Sequence, residues 1–278
     1  MKNGIKASLQ RIVGYRRYLR WFAWFKVTTL HADKREDDFF AFRSLLPAAG
    51  IVLDVGANLG FLTAHLAAHV RHGRVIAFEP MPDNLHALRY VVQRFKLRNV
   101  TIEPCALGDR DGEAEMVLPI VRKARLQGLS HIVDGAPGTN PGAPSGVRGI
   151  EEGIRFTVPL RTLDGFAYLF APGAKVTGIK IDVENSERRV LAGAGHLVAA
   201  HAPLIYLELC EDHNKQACLD LFRTWGYEVT VNVKGTHEPY DPVAHAGRIN
   251  FLARPLRDRR APARGSDAAS TANESSFA

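Results

Sequence analysis

The sequence predicts an α/β fold, doubly wound about a parallel sheet. From residue 50 onward, short apolar runs alternate with segments of helical periodicity. Strands separated by helices pair in parallel and carry helices on both faces. The stretch "IVLDVGANLGFLTAHLA" (51–67) runs from a buried strand through Asp54, Gly56, Asn58 and Gly60 into a helix. Junctions of that kind hold nucleotide-like ligands at the C-terminal ends of parallel strands. Near the end, "YEVTVNV" and "RINFLARP" read as a closing strand pair.

Each element has its own signal. Residues 50–55 read as a buried strand, 60–70 as a helix and 74–79 ("RVIAFE") as a second strand. In 82–97, Leu85, Leu88, Val91, Val92 and Phe95 recur at helical spacing, and 99–105 reads as a third strand. Residues 113–118 suit a short strand. The Gly- and Pro-rich segment 119–153 ("GAPGTNPGAPSGVRG" within it) reads as a long loop inserted on the substrate side. The alternation resumes with a strand at 154–160, a helix at 162–170, a strand at 176–184 and a helix at 186–200. A strand at 203–210 and a helix at 213–225 follow. Residues 255–278 are small, polar and charged, and read as a disordered tail.

The chain has 278 residues, 46% hydrophobic and 23% charged, which suits one sizeable domain (49–254) with appendages. Cys105, Cys210 and Cys218 are odd in number and lack metal-type spacing, so the sequence points to a reducing, cytoplasmic compartment and no structural zinc. The formal charge is +7, and Lys2, Lys6, Arg11, Arg16, Arg17, Arg20 and Lys26 all precede the first acid, Asp33. The body of the chain is therefore near neutral. A nucleic-acid-binding domain would spread its bases over a folded face, so no nucleic-acid partner is expected. No apolar run reaches membrane-spanning length, and the basic leader lacks the uninterrupted apolar stretch and small-residue cleavage site expected of a signal peptide. Residues 1–48 read as a basic, aromatic helical segment. Residues 1–30 either pack on the domain or rest on an anionic membrane surface.

The chemistry begins at Asp54. A dinucleotide fold uses G-x-G-x-x-G and helix amides to hold pyrophosphate. Here the spacing is G-x-x-x-G, with Asp54 just before it. A carboxylate there repels pyrophosphate and suits a cationic amine, taken directly or through water. S-adenosylmethionine has an amino-acid end of that kind and no phosphate. Glu79 closes the second strand in "AFEP", where one carboxylate can accept from two ribose hydroxyls. A dinucleotide oxidoreductase is disfavoured on both counts.

The stretches "DVGANLGFLT" (54–63), "FEPMPDNLHAL" (78–88), "CALGDRDG" (105–112), "TLD" (162–164) and "KIDVENSERRVLAGA" (180–194) occur in that order. Together they resemble the FkbM-type class I S-adenosylmethionine-dependent methyltransferases over residues 50 to about 252. The resemblance implies a Rossmann-like, seven-stranded methyltransferase sheet and O-methylation of a sugar, glycan or small metabolite hydroxyl. It implies that Asp54, Gly56, Asn58 and Gly60 hold the methionine end of the cofactor, and Glu79 the ribose. Pro80 and Asn84 would shape that pocket, and Ala106 and Leu107 would lie near the adenine, with Cys105 and Asp109 beside them. Two departures stand out. The family usually has Gly where this chain has Asn185, and an Asn near the end of the second helix where this chain offers Gln93 and Asn99.

In "KIDVE", Lys180, Asp182 and Glu184 alternate and share one face if the strand stays regular. Methyl transfer to an alcohol needs positioning and removal of the acceptor proton. Asp182 is the first candidate base and Glu184 the second, with Lys180 holding the pair or orienting the acceptor. Glu208 stands at the same sheet edge, and His131 and His213 are further candidates. N-methylation and a non-catalytic relative remain open.

Overall fold

The apolar run at 51–55 forms a strand buried along its whole length, as a central strand covered on both faces must be. The computed structural model describes residues 2–121, 123–133, 153–170, 173–210 and 213–256. Three helices come first, α1 (Lys2–Val13), α2 (Tyr15–Thr29) and α3 (Asp37–Leu45). The alternation then begins with β1 (Ile51–Val55), α4 (Phe61–His69), β2 (Arg74–Phe78), α5 (Pro82–Arg94) and β3 (Val100–Glu103). A group of strands follows, β4 (Ala106–Leu107), β5 (Gly112–Val121), β6 (Ala124–Arg125), β7 (His131–Ile132) and β8 (Gly153–Arg161). The chain returns with β9 (Val176–Ile181), α6 (Glu187–Ala192), α7 (Gly195–His201), β10 (Leu204–Glu208) and α8 (His213–Thr224). It closes with β11 (Tyr227–Val233), β12 (Thr236–Pro239) and β13 (Asn250–Pro255).

The main sheet runs β12-β11-β13-β10-β9-β1-β2-β3. Strands β3, β2, β1, β9 and β10 are parallel. β13 joins antiparallel to β10, and β11 to β13, which is the expected closing pair. The sheet has eight strands rather than seven. The addition is the edge strand β12, whose "THEP" carries no apolar alternation and which pairs only with β11.

The second sheet was not expected. β8 was read as part of the main alternation, but it pairs antiparallel with β5 and parallel with β4. The segment read as a loop from 119 continues β5 to Val121 and then forms β6, a 3-10 turn at Gln127–Leu129 and β7. Met116, Leu118, Ile132, Val158 and Leu160 bury a core there with Met81 and Ala106. Local composition hid this core, because its partners come from separate parts of the chain. Residues 134–152 of the expected loop, and 257–278 of the expected tail, lie outside the described residues. The helix expected at 162–170 is a 3-10 helix, Asp164–Leu169, and that expected at 186–200 is the pair α6 and α7.

The first helices belong to the folded body. Tyr18, Leu19, Ala23 and Val27 of α2 pack with Leu59, Ala64, Ala87 and Val91. α4 is buried from Leu62 to Ala67, because α2 covers the face that a surface helix would give to water. Phe39 and Phe42 of α3 join a cluster with Val52, Leu66 and Tyr206, and the Phe42 ring stacks on Tyr206 at 5.3 Å. Asn99 Nδ2 donates to the carbonyls of Ala67 and Val70, tying down the end of α4.

Phe42 is fully buried, so Phe42→Ala is expected to lower stability by about 3–5 kcal/mol. Urea unfolding checks this. A loss below about 1 kcal/mol would remove α3 from the core.

Candidate functional site

The chain order of the main sheet reverses between β1 and β9, which is where an open α/β sheet binds ligands. An open cleft lies there, with about 610 Å³ of empty space counting the solvent at its mouth. Of the expected residues, Gly56, Asn58, Glu79, Pro80, Asn84, Ala106, Leu107, Asp182 and Glu184 line it, and Asp54, Gly60 and Lys180 do not.

Asp54 lies one layer beneath the cleft, without solvent exposure. The register of β1 against β9 sets it opposite Lys180. Thr63 Oγ1 donates to its Oδ2 at 2.6 Å. The Lys180 ammonium stands 3.4 Å from Oδ1, yet Oδ1 has no hydrogen-bond partner. Gly56 has φ +75°, and a Cβ on it would clash with the Asp182 carbonyl oxygen, so only glycine lets the ends of β1 and β9 approach this closely. Gly60, expected at the cofactor, instead begins α4 with φ +84°. It packs under Leu88 of α5, off the cleft lining.

Glu79 is the best-anchored cleft acid. Its Oε2 accepts from the Asn58 N–H at 2.8 Å. Its Oε1 accepts from the Met81 N–H at 2.8 Å and from Asn84 Nδ2 at 3.2 Å. A carboxylate offers about four acceptor positions, so Oε2 keeps capacity for a ligand hydroxyl. Burial pushes Glu79 up to about 7, against the pull of those three hydrogen bonds. Asn58 Oδ1 is buried and has no hydrogen-bond partner. The opposite wall comes from the second sheet. Gln127, Gly128, Ser130 and Ile132 line the cleft, and a Cβ on Gly128 would stand 3.7 Å from Asn58 Nδ2.

The "KIDVE" stretch departs from the expected regular strand. β9 ends at Ile181, and Glu184 and Asn185 both take left-handed φ, +52° and +78°. Asn185 thus takes a left-handed conformation, which Asn tolerates better than most residues. The three charged residues therefore do not share one face. Lys180 is 2% exposed; it donates to the Gly56 carbonyl at 2.8 Å and lies 3.6 Å from Asp182 Oδ2. Burial works to lower the Lys180 ammonium, but Asp54 and Asp182 outweigh it and hold it above its ordinary value. Asp182 and Glu184 reach the cleft on the turn. Burial first, then Asp182 and Glu208, raise Glu184; burial and Asp182 raise Glu208. These carboxylates form one electrostatic cluster over Lys180.

Several residues that matter here carried weak signals or none. Glu187 accepts from the N–H groups of Val183 and Asn185 and from Asn214 Nδ2 at 2.7 Å, so it ties down the turn. A carboxylate opening a helix was the available hint. Thr63 was legible only as a helix residue. Nothing local marks Gln127 or Gly128, which reach the cleft by folding of the second sheet. His131 is not among the residues that line the cleft; it is buried, with Nδ1 2.9 Å from the Leu129 carbonyl oxygen. The side chain of His213 lies outside the described residues. Asp164 of "TLD" accepts from the N–H groups of His196 and Leu197 at the start of α7, a structural part. Asp109 is exposed beside Arg110.

The profile of the family described as the methyltransferase FkbM domain matches residues 54–236. Among curated proteins, the AMB antimetabolite synthetase AmbE of Pseudomonas aeruginosa is 26% identical over 216 residues, covering 67% of this chain and 10% of that protein. The chain thus spans about a tenth of the length of that relative. Among solved structures, methyltransferase FkbM from Methylobacillus flagellatus KT is 17% identical, with a TM-score of 0.47 over 76% of this chain and 45% of that chain. An S-adenosylmethionine-dependent O-methyltransferase from Thermotoga maritima is 14% identical, with a TM-score of 0.42 over 83% of this chain and 71% of that chain.

Lys180→Met would leave Asp54 buried without its counter-ion, and is expected to cost about 3–5 kcal/mol in chemical denaturation. A loss under about 1 kcal/mol would show that the pair contributes nothing net. A second expectation concerns pH. Glu79 and Glu187 are both pushed up from 4.5 to about 7, and Glu184 and Glu208 are also raised. The folded protein therefore keeps protons that the unfolded chain has released, so their stabilisation is full below pH 4.5 and is lost as pH rises through 7. Burial holds His65, His131, His201 and His237 below 6.5, which acts in the opposite sense only in more acidic solution. The melting temperature of the cofactor-free protein should accordingly fall from pH 6.5 to about 8.5, and fall less in Glu184→Gln. A flat or rising profile in that window would contradict the buried acid cluster.

Proposed function

The chain belongs to the FkbM methyltransferase family, and on that premise we propose that it moves a methyl group from S-adenosylmethionine to a hydroxyl of a sugar, glycan or small metabolite. The observation that carries the reading is an excess of acceptors in the cleft. Asn58 Oδ1 is buried and has no hydrogen-bond partner. Glu79 keeps a free acceptor position. Among the described lining residues none is Lys, Arg or His. A ligand that fits must bring donors, as an ammonium and ribose hydroxyls do; a pyrophosphate brings only acceptors and negative charge. Phe78, Met81, Ala106 and Leu107 add an apolar wall suited to an adenine ring.

In this reading Glu79 holds the ribose, oriented by Asn58, Met81 and Asn84. Asn58 faces the methionine end. Asp54 acts from below, through Thr63 and the charge of Lys180. When bound, S-adenosylmethionine supplies an electrophilic methyl group on a sulfonium. Asp182 accepts the proton of the acceptor hydroxyl, Lys180 holds Asp182 in place, and Glu184 is the next carboxylate in line. Asp182, Glu184 and Glu208 would repel an anionic acceptor and favour a neutral polyol. The same carboxylates would also suit an ammonium, so transfer to an amine is the second reading.

Calorimetry with S-adenosylhomocysteine should detect binding, weakened at least about tenfold, or 1.4 kcal/mol, in Asn58→Ala and in Glu79→Ala. No heat with the wild type would sink the cofactor assignment. With labelled cofactor and a panel of sugar hydroxyls and amines, Asp182→Asn should lose about 100-fold or more in turnover while keeping its cofactor affinity. Unchanged turnover would move the base to Glu184. Label appearing only on amines would select the second reading.

A further inference from the structure

The first helix is amphipathic in the wrong sense for a helix packed on a soluble body. Ile5, Leu9 and Ile12 lie within an arc of about 60° at 100° per residue. They face outward, 60%, 40% and 81% exposed. The polar side faces in. Gln10 is buried, donating to the Arg125 carbonyl at 3.1 Å and accepting from its N–H at 3.0 Å. Lys6 Nζ donates to Gln127 Oε1 at 3.0 Å. An ordinary surface helix does the reverse. α2 presents Trp21, Trp24 and Phe25 on its own outer side, with Trp21 and Phe25 stacked at 5.8 Å.

The charge around these side chains has one sign. The first 32 residues hold seven bases and no acid. Arg16 is paired with Asp83, and Lys26 with Asp33. Arg11 and Arg17 are exposed and have no carboxylate partner among the described residues. Aliphatic side chains, tryptophans and unpaired bases on the outer side of the first two helices match the chemistry of a lipid headgroup region with negative charge. A nucleic acid would use the bases and aromatics but has no use for Ile5, Leu9 and Ile12. A second copy of this chain would bring the same unpaired cations against them.

We propose that α1 and α2 form a docking surface for an anionic lipid bilayer, with Ile5, Leu9, Ile12, Trp21 and Trp24 entering the interface and Arg11 and Arg17 meeting the headgroups. Gln127, which Lys6 holds, also lines the cleft. The docked helix and the cleft therefore share a wall. The surface is independent of the methyl-transfer reading, because none of its residues belongs to the cofactor or acceptor cluster.

The test is co-sedimentation of the full chain with vesicles of phosphatidylcholine alone or mixed with phosphatidylglycerol, at low and high salt. Binding is expected only to the phosphatidylglycerol vesicles, weakened by salt, with a blue shift of tryptophan emission. Ile5→Asp with Ile12→Asp should lower the partition coefficient by at least about tenfold, and Arg11→Gln with Arg17→Gln should reduce its salt dependence. Both pairs are exposed, so an unchanged melting temperature and unchanged S-adenosylhomocysteine affinity are expected alongside. Absence of binding, equal binding to both vesicle types, or binding unchanged by the aspartates would overturn the proposal. So would a dimer in sedimentation equilibrium that the aspartates dissociate, which would give the face to a second copy.

Discussion

The buried ammonium of Lys180 is the joint on which the rest of the site depends. It sits between Asp54 at 3.4 Å and Asp182 at 3.6 Å, and donates to the carbonyl of Gly56 at 2.8 Å. Two of these charges, Lys180 and Asp54, are buried in the sheet, and such a pair is tolerated only when its members satisfy each other. The register of β1 on β9 sets Asp54 opposite Lys180, the Asp182 carbonyl lies against Gly56, and the turn beyond it carries Glu184 into the cleft. One lysine thus links the acid at the end of β1 to the acid on the turn after β9. Neither carboxylate can be changed without altering the field at the other.

Around that joint the cleft divides into two kinds of surface. On the β2 side, Glu79 is held by three donors and Asn58 waits with a free acceptor. That wall is rigid and neutralises itself by hydrogen bonding. On the β10 side, Asp182, Glu184, Glu187 and Glu208 stand together, and burial first, then their mutual repulsion, raises Glu184 and Glu208. That wall can exchange protons near neutral pH. The second sheet closes over both through Gln127, Gly128 and Ile132, and α1 braces it from outside through Lys6 and Gln10. Acids raised toward neutral pH thus stand on both walls, Glu79 on one and Glu184 and Glu208 on the other, and Lys180 acts on all three.

The legible parts of this molecule are those whose burial repeats along the chain. Strands β1, β2, β9, β10, β11 and β13 and helices α4, α5 and α8 stand close to where alternation and helical spacing put them, since each meets the same core at every turn or every second residue. The second sheet was missed because β4, β5, β7 and β8 bury their apolar residues against one another across long separations. Glu79, Asn58 and Asn84 were legible because the strand-to-helix junction carries its own turn chemistry. Gly60 and Asp54 carry the motif too, but they stand off the cleft lining. The face of α1 was readable as apolar spacing, yet the choice of which side touches the body was not.

By itself, then, the sequence determined the doubly wound sheet, the junction where a ligand with donors fits, and the set of acids that could do chemistry. These follow from periodic burial, from glycines at positive φ, and from the sign of one charge, all local properties. Only the tertiary structure decided that Lys180 points inward to groups 124 residues away, that β9 stops before Asp182, and that α1 turns its aliphatic side outward. Those outcomes depend on which distant polar groups are left to be satisfied once the core has closed, and that accounting is written across the whole chain rather than in any stretch of it.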